Sequence, residues 1–210
     1  MAIATNSWIK RIVVAAVAIA VFYGVKELKQ SWFDQRAIAK VDNTVNQLRE
    51  EAIRANPEAP AEAMKEAAGK HMAEQLASQS GDKAKQASTA ADQFWGFFLV
   101  NTRTRFDYCK EQGVDISSFV KAFERIHGKE VARASAIYAR EGADIDKIYG
   151  MLKVTNRKVI EDDMQGMAKT HNTNLREVCR AFAENGQEIA DEMQLSKAHP
   201  VLHQVLLRDH

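Results

Sequence analysis

The segment that most constrains this chain is an uninterrupted apolar run over residues 12–25, entered from Lys10-Arg11 and left through Lys26. As a helix, its 14 residues reach about 21 Å at roughly 1.5 Å per residue. A hydrocarbon core is about 30 Å thick, so the run alone is short for a crossing. Trp8 and Ile9 extend it, because Lys10 and Arg11 can lay their apolar stems along it while their charges reach the interface. Trp8 and Tyr23 sit near the two ends, where amphipathic rings favour the headgroup level. Counted from Trp8 to Val25 the segment reaches roughly 27 Å, enough for a thin or locally adapted bilayer. It is apolar on every face, unlike the striped surface helix of a soluble protein.

Two export readings compete for this run. A cleaved signal peptide needs small residues at alternate positions just beyond the apolar stretch. Here the run ends Val21-Phe22-Tyr23-Gly24-Val25, bulky where small is wanted, and the suitable triplet Ala18-Ile19-Ala20 lies in its middle. The expectation over residues 1–26 is therefore an uncleaved transmembrane signal-anchor. Lys10 and Arg11 face no acid on the N-terminal side, whereas Lys26 and Lys29 are mixed with Glu27 on the other. Positive-inside logic then keeps the N-terminus cytoplasmic and exports the remainder, which places the protein in a bacterial inner membrane with a periplasmic domain. Within the run Ala16, Ala20 and Gly24 recur every fourth residue on one face, the pattern that lets membrane helices pack closely. An Ala-rich export signal also produces that register by composition alone.

Beyond Lys10 and Arg11 the chain carries 27 basic and 28 acidic side chains. That balance argues against a nucleic-acid partner, which needs a clustered positive field. The only cysteines are Cys109 and Cys179. In an oxidising compartment an even count reads as one disulfide, and a loop of that size is stabilised by roughly 4 kcal/mol in the chain-entropy model. Facing the cytosol, the same two would stay unpaired. No CxxC, haem-attachment or four-ligand zinc spacing occurs.

Only 3 prolines and 10 glycines punctuate 210 residues, and no alternating stretch of strand length appears. The predicted class is all-α: the anchor helix continuing into a helical stalk, then a C-terminal antiparallel helix bundle. Ile38, Val41, Val45, Leu48 and Ala52 form a heptad-like seam, and Pro57 and Pro60 end that helix. Residues 27–91 read as stalk and weakly packed connector, and residues 92–210 as the bundle domain. Phe94, Trp95, Phe97, Phe98, Leu99 and Val100 are the densest aromatic cluster, either core or an apolar binding face. Further helices are expected over 92–112 with Gly113 as its stop, from a cap at Asp115 or Ser117 to Gly142, from Asp144 onward, over 175–193, and after Pro200.

Signals for chemistry are sparse. Ser118-Phe119-Val120-Lys121 matches the SxxK motif of penicillin-binding enzymes, but its SDN and KTG companions are missing, and Ser80 to Lys83 repeats the pattern in a loop. His199 and His203 flank Pro200 four residues apart, with His210 beyond and Asp191 upstream, two imidazoles without an evident third ligand. Glu161-Asp162-Asp163 reads as a solvated helix face. No catalytic residue, metal site, cofactor or small-molecule substrate is indicated. The expected function is that of a non-catalytic, membrane-anchored protein presenting a helical periplasmic domain for protein–protein interaction. An accessory or assembly subunit of an envelope complex, or a self-associating one, fits that description. The alternative is a soluble exported binding protein or inhibitor, such as an envelope immunity factor, released by cleavage near Ala20.

Overall fold

The computed structural model describes residues 60–208, together with scattered positions between 43 and 56. The apolar run, its face of Ala16, Ala20 and Gly24, and the seam from Ile38 to Ala52 lie outside the described residues. Within the described residues the regular structure is all helical, and no helix is long and apolar enough to cross a membrane. The order is α1 (Pro60–Ser78), α2 (Lys83–Leu99), a π-helical segment (Val100–Thr104), α3 (Arg105–Glu111), α4 (Ser117–Ile126) and α5 (Gly128–Glu141). There follow α6 (Ile145–Thr170), α7 (Leu175–Glu184), α8 (Gly186–Glu192), α9 (Leu195–Ala198) and α10 (Pro200–Leu207).

Helix α2 is the axis of the bundle. From Thr89 through Thr102 every residue is buried, so this stretch has no solvent face. A helix apolar around its whole circumference has to be enclosed by others. Helices α1, α5 and α10 pack along α2, while α6 packs on the π segment that continues it. Asp82 caps α2 by accepting the Lys85 N–H at 3.0 Å, and the turn before it folds α1 back onto α2. Along that contact Gln86 Nε2 donates to the Leu76 carbonyl at 2.7 Å, Thr89 Oγ1 to Gln79 Oε1 at 2.7 Å, and Gln93 Nε2 to Gln75 Oε1 at 2.8 Å.

The core therefore begins upstream of residue 92. Met72, Leu76 and Ala87 are buried in the same cluster as the aromatics, so the C-terminal part of the expected connector builds core. Met72 and Leu76 are one turn apart, which is enough to fix one face of α1 on α2. Their row looked thin in the sequence because the side-chain amides, not further apolar groups, complete this contact.

Several boundaries fall where the sequence placed them. Gly113 and Gly142 follow their helices with φ of 73° and 65°, and Val114 N–H returns to the Cys109 carbonyl at 2.9 Å in the manner of a Schellman closure. Asp144 accepts from the amides of Asp146 and Lys147, and Asn174 from that of Glu177. Pro200 opens α10. Two helices expected as continuous are divided. The stretch from Ser117 to Glu141 breaks at His127, and the one from Leu175 to Glu192 breaks at Asn185.

The second break has a steric cause. A Cβ added at Gly186 would lie 2.6 Å from the Phe119 backbone nitrogen and 2.8 Å from its Cα. Helix α8 thus rests directly on the backbone of α4, and the chain turns after Glu184 to bring the glycine there. Around Gly150, an exposed position inside α6, nothing lies within 4 Å of such a Cβ. Gly186→Ala is expected to destabilise by about 1–3 kcal/mol through overpacking against immovable backbone. Gly150→Ala is expected to stabilise by about 0.5–1 kcal/mol, because alanine is the better helix former. Urea midpoints of the two variants check the opposite signs.

Candidate functional site

The polar side chains inside the bundle form three buried groups joined by a line of rings. From Trp95 the line passes to Phe98, Phe123, Phe119 and Phe182, with successive centroids 5.0 to 6.0 Å apart. All five rings are at most 8% exposed, as are Phe94 and Phe97 beside them. The cluster over residues 94–100 is core; of the two readings the sequence left open, the binding face is excluded in the folded chain.

At the Trp95 end lies the first polar group. Tyr138 packs its ring 6.0 Å from Trp95, and its hydroxyl donates to Asp92 Oδ1 at 3.0 Å. Burial, reinforced by the Asp92 carboxylate, pushes the Tyr138 phenol well above its ordinary value, so it remains a donor at neutral pH.

At the Phe182 end lies an ion pair. Arg105 and Asp163 have side chains only 2% and 1% exposed, with Nη2 to Oδ2 at 2.7 Å. Arg105 also donates from Nε and Nη2 to Asn101 Oδ1 at 3.2 and 3.1 Å, and from Nη1 to the Met164 sulfur at 3.2 Å. The guanidinium stacks 4.7 Å from the centre of the Phe182 ring. The π segment supplies this geometry. Arg105 N–H bonds to the Val100 carbonyl, five residues back, and the extra residue in that turn rotates everything after it relative to α2. Asn101 and Thr102 side chains bond to the Phe97 and Phe98 carbonyls at 2.8 Å each, which competes with the regular backbone ladder.

The aspartate corrects an expectation. The run Glu161-Asp162-Asp163 is not a uniformly solvated face: Asp163 points into the core, Glu161 is half-buried and bonds Arg157 Nε at 2.9 Å, and Arg157 also reaches Glu111. Three consecutive helical residues face different directions, so one of them can meet the core while its neighbours stay wet. The readable signal was Arg105 itself, a charge one turn beyond the aromatic cluster and four residues after Asn101.

One turn further along α3, Cys109 and Cys179 are joined as a disulfide, with Cα atoms 5.4 Å apart and both residues fully buried. The bridge fastens α7 to α3, and Phe182 lies on that same helix against Arg105. The pairing expected from the sequence is thus present.

The third group is built on histidine. His127 is fully buried and lies 4.2 Å, ring to ring, from Phe123 and 5.5 Å from Phe97. Its Nδ1 bonds the Phe123 carbonyl at 2.9 Å and its Nε2 takes the Leu195 N–H at 3.1 Å. Burial holds the imidazole below its ordinary range. His199 packs edge-on against Phe97 at 5.6 Å, while His203 Nε2 faces Glu130 Oε1 at 3.3 Å. The pair around Pro200 therefore serves two different contacts. Among the described residues no group of three His, Cys, Asp or Glu side chains converges to hold a metal ion; His210 lies outside them.

The SxxK residues are placed structurally as well. Ser118 Oγ donates to the Ala183 carbonyl at 2.9 Å, tying α4 to α7, and Lys121 is exposed, as are Ser80 and Lys83. On the surface, the exposed large hydrophobics among the described residues are Val154 at 69% and Val201 at 48%, lying on different helices. Comparison with protein-family models, with curated proteins and with solved structures returns no match for this chain.

The ion pair yields a test of what holds the centre together. Asp163→Ala leaves a buried guanidinium uncompensated and is expected to cost about 3–5 kcal/mol. Replacing both partners, Arg105→Met with Asp163→Leu, is expected to cost much less than the single change, because no charge is stranded. Denaturation of Arg105→Met, of Asp163→Leu and of the double variant measures the coupling; additive losses would contradict it.

Proposed function

We propose that this chain is a non-catalytic, membrane-anchored protein that presents its helical bundle on the periplasmic side of a bacterial inner membrane for protein–protein interaction. Its role is that of an accessory or assembly subunit of an envelope complex. The observation that carries the reading is the Cys109–Cys179 bridge, fully buried in the core of the bundle. Structural disulfides persist in oxidising compartments and are rare in the cytosol, which supports export of the bundle. The run over 12–25, with Lys10 and Arg11 before it, supports an anchor with its N-terminus inside. Arg105 with Asp163, Tyr138 with Asp92, and His127 with the Leu195 backbone bond within the bundle, which favours a structural role for these groups.

A second reading rests on Ala18-Ile19-Ala20: cleavage after Ala20 releases a soluble exported binding protein or inhibitor. Osmotic shock separates the two, since a cleaved product leaves with the soluble envelope fraction and an anchored one stays with the membrane.

Fused at its C-terminus to a reporter enzyme that is active only after export, the full chain is expected to give activity, and an inactive fusion would contradict the orientation. Extracted in mild detergent, it is expected to migrate as part of a larger assembly whose envelope components cross-link to the bundle. Recovery of the monomer alone would count against a role in assembly.

A further inference from the structure

The C-terminal segment is fastened to the rest of the bundle by three side chains spaced three residues apart, His127 just before α5 and Glu130 and Arg133 in its first half. His127 Nε2 receives the Leu195 N–H at 3.1 Å, Glu130 faces His203 at 3.3 Å, and Arg133 donates to the carbonyls of Leu206 at 3.2 Å and Arg208 at 2.9 Å. These contacts lie over Met193, Leu195, Leu202, Val205 and Leu206, all at most 4% exposed.

We propose that His127 is an acid-sensitive latch: neutral, it holds the turn that carries Met193 and Leu195 in the core, and protonated, it releases that turn. The hydrogen-bond roles dictate this. A backbone N–H can only donate, so Nε2 must accept from Leu195, and the ring proton resides on Nδ1, which donates to the Phe123 carbonyl. Protonation adds an N–H on Nε2 that meets the Leu195 N–H head-on. It also leaves a cation among the rings of Phe94, Phe97, Phe98 and Phe123.

The charged and titratable groups around the ring come from few elements. Helix α5 brings Glu130, whose carboxylate favours the protonated ring, as do the backbone carbonyls of Phe123 and Met193; α10 brings His203, which opposes it; burial outweighs the three favourable groups, and His199 stands at the same layer against Phe97. From α2 only apolar rings reach it.

The sign follows from linkage. A histidine whose folded value is depressed takes up its proton more readily in the opened state. Opening is therefore constant above the ordinary histidine value of about 6.5 and becomes easier as pH falls below it, by at most about tenfold per pH unit for one proton. What emerges is an apolar surface around Met193 and Leu195 that is exposed more often as the pH falls. The latch does not rest on the membrane reading, since it involves groups of the bundle alone.

Amide exchange of the full chain in detergent, corrected for intrinsic rates, tests it. The Leu195 amide is expected to lose protection by up to about tenfold per pH unit between pH 6.5 and 5.5, while Val159 and Ile160 in α6 keep theirs. His127→Gln, whose amide can accept from Leu195 at any pH, is expected to flatten that profile. Should this variant fail to fold, imidazole nitrogen shifts of the unmodified protein decide instead. They are expected to give the Nδ1–H tautomer at pH 7.5 and protonation that coincides with loss of Leu195 protection. Protection independent of pH, loss spread evenly over the bundle, or protonation of His127 with Leu195 still protected would overturn the proposal.

Discussion

A helix without a solvent face must bring every polar requirement with it, and the burial of α2 on all sides is the constraint from which the rest of the bundle follows. Its apolar residues set the line of rings, and its polar ones each need a protein partner. Gln86 and Gln93 find theirs on α1, Thr89 on Gln79 just after it and Asp92 on α5, while Asn101 and Thr102 of the π segment bond to the preceding turn. The π segment then turns Arg105 toward Asp163, and the disulfide one turn later fixes α7, which carries the ring beneath that guanidinium. Burial, ion pair and bridge thus form one connected arrangement. Its weak point is chemical rather than geometric, since a buried charge is tolerated only while its partner remains.

Much of this was legible because it depends on local chemistry. Helix ends at Gly113 and Gly142, caps at Asp144 and Asn174, and the start at Pro200 are set by residues within one turn of the boundary. The cysteine pairing could be read because two cysteines allow one bridge. What escaped depends on distant parts of the chain meeting. The break at Asn185 exists because Gly186 meets the backbone of Phe119, 67 positions earlier. Asp163 looked like its two acidic neighbours because its partner lies 58 residues away. Likewise the C-terminal part of the 27–91 connector packs against α2 although it read as weakly packed, because glutamine and threonine side chains complete the contact of Met72 and Leu76.

His127, Ser118, Asp92 and Asp163 each bond across from one part of the bundle to another. The proposed role in the envelope draws on two independent features, the buried bridge and the N-terminal apolar run.

The most direct test of a disulfide-locked bundle on an uncleaved anchor is the intact mass of the native protein, taken before and after reduction. The expected result is a species that retains the residues of the apolar run and gains the mass of two hydrogen atoms on reduction. A species lacking that run, or a mass unchanged by reductant, would contradict it.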